Sequence, residues 1–182
     1  EFPRRKVCGE CIAATNLPLL HALGIGEAFD ALAGPELRQV GLFVGARTLI
    51  APLPASESRH PWGRALGREH LDALLLARAA AVGATVLQPA TVRRIGRDNA
   101  LRTCEVVAAD GSTRTLSAPV MIAAHGSWEP DPARDAKPPA HRASDLFAFQ
   151  ANFHNATLAP GLVPVLALPG GYRGLVLGDH GR

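Results

Sequence analysis

The stretch "GREHLDALLLARAAAVGATVL", residues 67–87, carries the clearest secondary-structure signal in the chain. Its apolar side chains recur at the spacing of one helix face, at Leu71, Leu74, Leu75, Ala79 and Val82. Gly83 then provides a C-terminal stop. The stretch predicts a helix over residues 68–82 and a strand over 85–92, an alternation typical of α/β sheets.

Upstream of this stretch the chain predicts shorter elements. Residues 16–32 indicate two short helices that are interrupted at Gly24 and Gly26. The apolar alternation within residues 38–50 predicts strand structure in an antiparallel sheet. Residues 52–61, with their Pro and Ser content, predict a loop.

Downstream, the chain predicts mostly strands. Asp110-Gly111 is a strong hairpin signal, and the apolar run over residues 120–128 is typical of a strand buried on both faces. Residues 129–139 predict a loop. Segments 145–153 and 162–179 indicate antiparallel strands around a Pro-Gly-Gly turn. The fold class predicted from the whole pattern is mixed α/β, with its two sheet types interleaved along the sequence.

Composition excludes several classes of protein. The chain has 182 residues, of which 47% are hydrophobic and 5% aromatic, so it contains enough apolar material for a packed core. The net charge is +3, and the arginines are scattered, which argues against nucleic-acid binding. No apolar run approaches the ~20 residues of a membrane span, and no signal-peptide core is present. We therefore expect a cytoplasmic protein without a membrane span.

The motif Cys8-Gly9-Glu10-Cys11 has three interpretations. A redox dithiol needs a buried strand that leads into a helix, and the preceding "FPRRKV" is not one, so a thiol oxidoreductase is the less favoured reading. A zinc site needs four ligands, and His21 is the nearest candidate partner, so no metal site is predicted. Cys11 and Cys104 are then small apolar residues of the core.

Four stretches, read together in order, resemble a known family. They are "FPRRKVCGE" (2–10), the helical stretch 67–87, "DGSTRTLSAPVMIAAHGSW" (110–128) and "PGGYRGLV" (169–176). The sequence resembles FAD-dependent oxidoreductases of the p-hydroxybenzoate hydroxylase fold, and most closely the branch with geranylgeranyl reductases, flavin monooxygenases and halogenase-like enzymes. The resemblance implies a partial FAD-binding three-layer ββα sandwich interleaved with an antiparallel substrate-domain sheet.

The resemblance also implies a division of the chain. The FAD-binding part comprises residues 1–35 and 66–128, the substrate-domain sheet comprises residues 36–65 and 140–182, and residues 129–139 are the loop. The sequence contains no Gly-x-Gly-x-x-Gly turn for a pyrophosphate. We therefore expect a fragment from the middle of a longer enzyme, which binds FAD weakly or not at all when isolated.

The cofactor residues implied by the resemblance lie in three segments. Arg68, at a predicted helix start, offers a cation and N–H donors to the flavin phosphate and ribityl side. The backbone of Thr91 and Val92 is expected beside the adenine. The full set of expected cofactor residues is Arg4, Lys6, Cys8, Gly9, Arg68, Thr91, Val92, Ala124, His125 and Gly126.

The expected chemistry is that of a flavoenzyme. Cys8 and Glu10 are the candidate catalytic residues, with the Glu10 carboxyl as a possible proton donor. The substrate residues implied are Pro169, Gly170, Gly171 and Tyr172, and the substrate is a small apolar or aromatic molecule. Hydroxylation, double-bond reduction and halogenation stay open as reactions, with NAD(P)H as a candidate electron donor. The alternative function is a non-catalytic binding or scaffold domain of the same fold.

Overall fold

The computed structural model of the protein describes residues 2–7, 10–126, 142 and 144–179. The chain divides into two compact units, of which the larger consists of Phe2–Ala84 and Ala148–Arg182, and the smaller contains Thr85–Phe147. The predicted loop over residues 129–139 lies outside the described residues. The predicted assignment of ranges to an FAD-binding part and a substrate sheet stays a prediction.

The core of the larger unit is helical. Its helices are α1 (Leu17–Ala22), α2 (Gly26–Leu32) and α3 (Arg68–Ala81), as the sequence predicts. Gly24 has a φ of +80°, which interrupts the first pair of helices where glycine is needed. The fully buried side chains are Leu17, Phe29 and Leu66. This cluster fixes the start of α3, because Leu66 lies two residues before the helix.

A short strand pair joins the N-terminal segment to the start of α3. Strand β1 (Cys11–Ile12) pairs antiparallel with β4 (Arg64–Ala65). The backbone N–H of Leu66 also donates to the carbonyl oxygen of Glu10, over 3.1 Å. These bonds place Glu10 beside the residues that lead into α3.

The larger unit also contains a four-stranded sheet. Its strands, in spatial order, are β3 (Arg47–Pro52), β2 (Gln39–Val44), β8 (Leu162–Leu168) and β9 (Gly171–Gly174). The pairs β2–β3 and β8–β9 are antiparallel, whereas β2–β8 is parallel, so the expected antiparallel sheet is in fact mixed. The parallel pair arises because β2 and β8 lie far apart in sequence and need no hairpin between them.

The prediction of a strand over residues 145–153 is wrong. No regular structure is assigned there, and Leu146 is 93% and Phe149 79% exposed. A strand needs a neighbour for its backbone groups as well as an alternating pattern. Strand β8, its expected partner, is already paired on both sides by β2 and β9.

The smaller unit is an antiparallel meander. Its strands are β5 (Ala90–Asp98), β6 (Leu101–Ala108) and β7 (Thr113–Ala118), in the order β5-β6-β7. The Asp110-Gly111 turn joins β6 to β7, and the positive φ of Gly111, +80°, confirms the hairpin prediction. Strand β5 begins at Ala90 rather than at residue 85.

The predicted buried strand over residues 120–124 is also wrong. Val120 is 73% and Ile122 84% exposed, and no regular structure is assigned to this segment. Strands buried on both faces need layers on either side, and within the described residues none covers these side chains. The mixed α/β fold class itself is confirmed.

Candidate functional site

The structure distributes the predicted site residues between the two units. Three of them, Lys6, Glu10 and Arg68, meet near the start of α3 in the larger unit. Arg4 belongs to the same unit, where its guanidinium lies 5.5 Å from the centre of the Phe2 ring. Thr91, Val92 and the segment 124–126 belong to the smaller unit. Cys8 and Gly9 lie outside the described residues.

A cavity of about 170 Å³ lies at the meeting point in the larger unit. Its charged and amide-bearing lining consists of Arg5, Lys6, Arg68, Glu10, Glu69, Gln150 and Asn152. Positive and negative groups alternate around it. The cavity therefore offers hydrogen-bond donors and acceptors together, in a wall without a strong net charge.

Two of the predicted cofactor cations share one carboxylate. The Arg68 guanidinium donates from Nε and Nη2 to the two carboxylate oxygens of Asp72, both over 2.9 Å. Lys6 Nζ lies 3.6 Å from Asp72 Oδ2. Asp72 lies one turn along α3 from Arg68, so helical spacing brings the guanidinium and the carboxylate together in this two-bond pair.

Glu10 is a half-buried carboxylate with defined partners. Its Oε1 accepts a hydrogen bond from Gln150 Nε2 over 2.6 Å, and the nearby backbone of Arg68 lowers the pKa of the carboxyl slightly. Burial raises the pKa of the Glu10 carboxyl, Gln150 opposes the shift, and the negative charges of Asp179 and Glu69 add to it. Glu10 therefore keeps a proton to a higher pH than an ordinary glutamate.

Asp179 completes the start of α3. Its Oδ1 accepts the backbone N–H of Gly67, the N-cap residue, over 2.8 Å. Side-chain ligand atoms of Glu69, His70 and Asp179 lie within 4.8 Å of one another, a donor set that could hold a metal ion. Glu69 also pairs with Arg5 at 3.1 Å.

Sequence reasoning missed most of these partners. Asp72 lies four residues after Arg68, so the Arg68–Asp72 ion pair could have been predicted from helical spacing alone. Gln150 and Asp179 are separated from their partners by 140 and 112 residues. No local sequence pattern predicts contacts between residues that lie so far apart in the chain.

The predicted site residues of the smaller unit fall into two separate segments of the chain, residues 91–92 and 124–126. Thr91, in β5, lines a second cavity of about 170 Å³ together with Arg93 and Val107. Val92 pairs with Val106 across the sheet. Ala124, His125 and Gly126 follow β7 without regular structure, and His125 Nδ1 lies 2.9 Å from the Gly126 carbonyl oxygen.

The predicted substrate residues form a turn in the larger unit. Pro169 and Gly170 connect β8 to β9, and Gly170 has a φ of +80°. Gly171 and Tyr172 begin β9, where the Tyr172 side chain is 78% exposed. Their role toward a substrate stays a prediction.

The thiol interpretation gains no support from Cys11. Its side chain is accessible, yet desolvation raises the pKa of the thiol and the negative charge of Glu10 adds to the shift. A reactive dithiol needs the opposite shift. His21, the candidate zinc partner, instead pairs with Asp30 over 3.2 Å and stacks on His60.

Comparisons with known proteins identify the fold. No protein-family model and no curated protein matches the sequence. The flavoprotein/dehydrogenase from Cytophaga hutchinsonii aligns with 91% of this chain and 42% of its own, with a TM-score of 0.63 and 16% identity. The p-nitrophenol 4-monooxygenase PnpA from Pseudomonas putida DLL-E4 aligns with 63% of this chain and 30% of its own, with a TM-score of 0.53 and 12% identity.

A third solved structure, the myxobacterial chondrochloren halogenase CndH, aligns with 63% of this chain and 27% of its own, at a TM-score of 0.53 and 14% identity. The chain thus spans less than half the length of each of these proteins. At this level of identity the likeness concerns architecture. The chain has the architecture of part of the FAD-dependent monooxygenases and halogenases, the p-hydroxybenzoate hydroxylase-like fold expected from its motifs.

Proposed function

We propose that the chain is part of an FAD-dependent oxidoreductase and forms one flank of its flavin site. The observation that supports this most directly is the convergence of residues 5–7, Glu10, the first turn of α3 and residues 150–152 on one polar cavity. The chain also shares its fold with solved flavoenzymes. FAD, when bound, would supply the redox chemistry, and the protein would bind and orient it.

The residues at α3 fit only one part of FAD. The cavity of about 170 Å³ is smaller than the roughly 300–1,000 Å³ of typical ligand sites, so it receives a portion of the molecule. Its mixed donors and acceptors suit the uncharged ring edge and ribityl hydroxyls. The Gly67 N–H and the Arg68 guanidinium already bind carboxylates, so these residues do not fit the diphosphate.

The proposed roles of the single residues rest on the resemblance of the sequence to flavoenzymes. Arg4, Lys6 and Arg68 border the flavin edge, with Gly9 at the point of close approach and Cys8 toward the substrate. Glu10 holds a proton beside the ring. Thr91 and Val92 contact the adenine, and Ala124, His125 and Gly126 contact the cofactor elsewhere.

The substrate and reaction are proposals of the same kind. Pro169–Tyr172 and the largely apolar sheet strands favour a small apolar or aromatic substrate. The proposed reaction is monooxygenation or reduction, with NAD(P)H as electron donor.

A flavin titration tests the proposal. The chain is titrated with riboflavin, FMN and FAD while flavin fluorescence is followed. We expect saturable but weak binding, with Kd values of about 0.1–1 mM, since roughly 4–5 kcal/mol of binding is reasonable for part of a site. Arg68→Ala should weaken binding at least about fivefold, whereas Arg78→Ala, on the same helix, should leave it unchanged.

The second candidate is a non-catalytic binding or scaffold domain with the same fold. The small cavity and the carboxylates at the start of α3 favour it. The same titration separates the two functions, because the scaffold domain predicts no saturable flavin signal for any of the three flavins. A flavin-saturated preparation of this chain would contradict the expectation of weak binding.

A further inference from the structure

The start of α3 is a place where an anion is expected to bind. The first N–H groups of a helix have no partner within the helix, and the helix dipole makes this end positive. The N-cap residue, Gly67, has no side chain with which to cap its own helix. Something else must therefore satisfy these donors.

A carboxylate from a distant part of the chain does so at Gly67. Asp179 Oδ1 accepts the N–H of Gly67 over 2.8 Å, and a second carboxylate, that of Glu10, lines the same cavity as Arg68. Asp179 is 112 residues from Gly67 in the sequence, so this capping interaction at the start of α3 forms only in the folded tertiary structure.

The space above Gly67 is filled as well. A Cβ built on Gly67 would lie 2.9 and 3.1 Å from the two Asp179 carboxylate oxygens. The segment that carries Asp179 is fixed by packing, because Leu177 is buried and its carbonyl oxygen abuts Gly34. A phosphate placed over Gly67 would overlap the Asp179 carboxylate.

The neighbouring cations are neutralised in the same way. Arg68 and Lys6 both pair with Asp72, and Arg5 pairs with Glu69. Each of these cations therefore has part of its charge and hydrogen-bonding capacity already engaged by a carboxylate. This arrangement differs from a phosphate site, where N–H donors and cations face the ligand.

We infer that the anion site at the start of α3 is filled by the chain's own Asp179 carboxylate, with Glu10 beside it, and that phosphate groups are thereby excluded from it. If the proposed function holds, this flank receives the uncharged ring and ribityl part of the flavin, and the diphosphate binds elsewhere. The Asp179 carboxylate then takes the position at the start of α3 that a bound phosphate group would otherwise have.

A gain of anion binding tests this inference. Inorganic pyrophosphate is titrated into the wild-type chain, Asp179→Ala and Asp179→Asn, with calorimetry and thermal unfolding as readouts. Wild type should show no saturable binding at millimolar concentrations. Asp179→Ala should show saturable binding at least about fivefold tighter than the limit that the wild-type titration sets, because a freed helix N-terminus can contribute that much. Asp98→Ala, which removes a carboxylate from the meander, should match wild type.

Two results would overturn the inference. One is saturable pyrophosphate binding to wild type that Arg68→Ala abolishes, because the site would then be open. The other is a folded Asp179→Ala protein that gains no affinity. If Asp179→Ala does not fold, the nearly isosteric Asp179→Asn decides, since the loss of its negative charge should still give a measurable gain.

The flavin titration keeps the two proposals separate. If no flavin binds, the proposed function fails, while the pyrophosphate result still stands. If FAD binds the wild-type chain more than about tenfold more tightly than riboflavin, and pyrophosphate competes with it in an Arg68-dependent way, the function stands and the inference fails.

Discussion

Arg64 connects β4 to the end of α2 through one guanidinium, and its removal is the most informative perturbation of this fold. Its nitrogens donate to the carbonyl oxygens of Gly34 (2.8 Å), Ala33 (2.9 Å) and Asp30 (3.2 Å), and to Asp30 Oδ1 (3.1 Å). These carbonyl groups lie in the last turn of α2 and in the two residues after it. Carbonyl groups at the end of a helix have no hydrogen-bond donor within the helix.

The expected loss of unfolding free energy on removal of the Arg64 side chain follows from these hydrogen bonds. A hydrogen bond that involves a charged group contributes about 1.5–3 kcal/mol when buried. The Arg64 side chain is 20% exposed, so water replaces some of the lost bonds. For Arg64→Ala we expect the free energy of unfolding to fall by about 2–4 kcal/mol. Arg64→Lys should recover less than half of this loss, because an ammonium cannot reach several carbonyls at once.

Urea denaturation followed by far-UV circular dichroism measures the change. Arg78→Ala is the matched control: its Nε makes one exposed bond to the Leu23 carbonyl oxygen, so it should lose less than about 1 kcal/mol. The reasoning is refuted if Arg64→Ala loses no more than the control, or if Arg64→Lys is as stable as wild type.

Three further predictions concern single positions. Because burial raises the pKa of Glu10 above 4.5 in the folded state, its contribution to stability is complete at low pH and is lost as pH rises through the folded pKa. The stability of wild type relative to Glu10→Gln should fall as pH rises from 4.5; a flat difference in paired urea melts argues against this. Gly34→Ala places a Cβ against the Leu177 carbonyl oxygen and should cost about 1–3 kcal/mol, whereas Gly171→Ala, which meets nothing within 4 Å, should be close to neutral. Site-resolved alkylation with iodoacetamide at pH 8 should modify Cys11 at least about threefold more slowly than a free thiol, because its pKa is raised; faster modification would restore the thiol hypothesis.

Absence of a membrane span agrees with the sequence as far as the described residues go. The longest helix there, α3, has 14 residues, and a bilayer needs about 20. The expected cytoplasmic location, the lack of nucleic-acid partners and the domain boundaries stay predictions.

Predictions from the sequence succeeded where the signal is local. The helix over Arg68–Ala81 and the two short helices were predictable, because apolar spacing, glycine stops and proline positions act within a few residues. The Asp110-Gly111 hairpin belongs to the same class, since its turn chemistry is carried by two residues.

Predictions failed where an apolar pattern was taken as sufficient for a strand. Segments 120–124 and 145–153 have suitable composition, but Ile122 and Leu146 are 84% and 93% exposed. A strand forms only when another strand accepts its hydrogen bonds, and the sequence does not say which pairings are available. The four-stranded sheet pairs β2 with β8 across more than a hundred residues, which no local pattern indicates.

The sequence by itself determined the mixed α/β class, the helices, the hairpin and, through four ordered motifs, the resemblance to flavoenzymes. It also placed a cation, Arg68, at the start of a helix. Only the tertiary structure decided what that helix start does. Asp179 arrives there from a segment 112 residues away and binds the Gly67 N–H, while Asp72 engages the guanidinium. Helix propensity and capping are local properties, whereas the partner of an exposed helix end is set by whichever distant segment the packed core brings beside it.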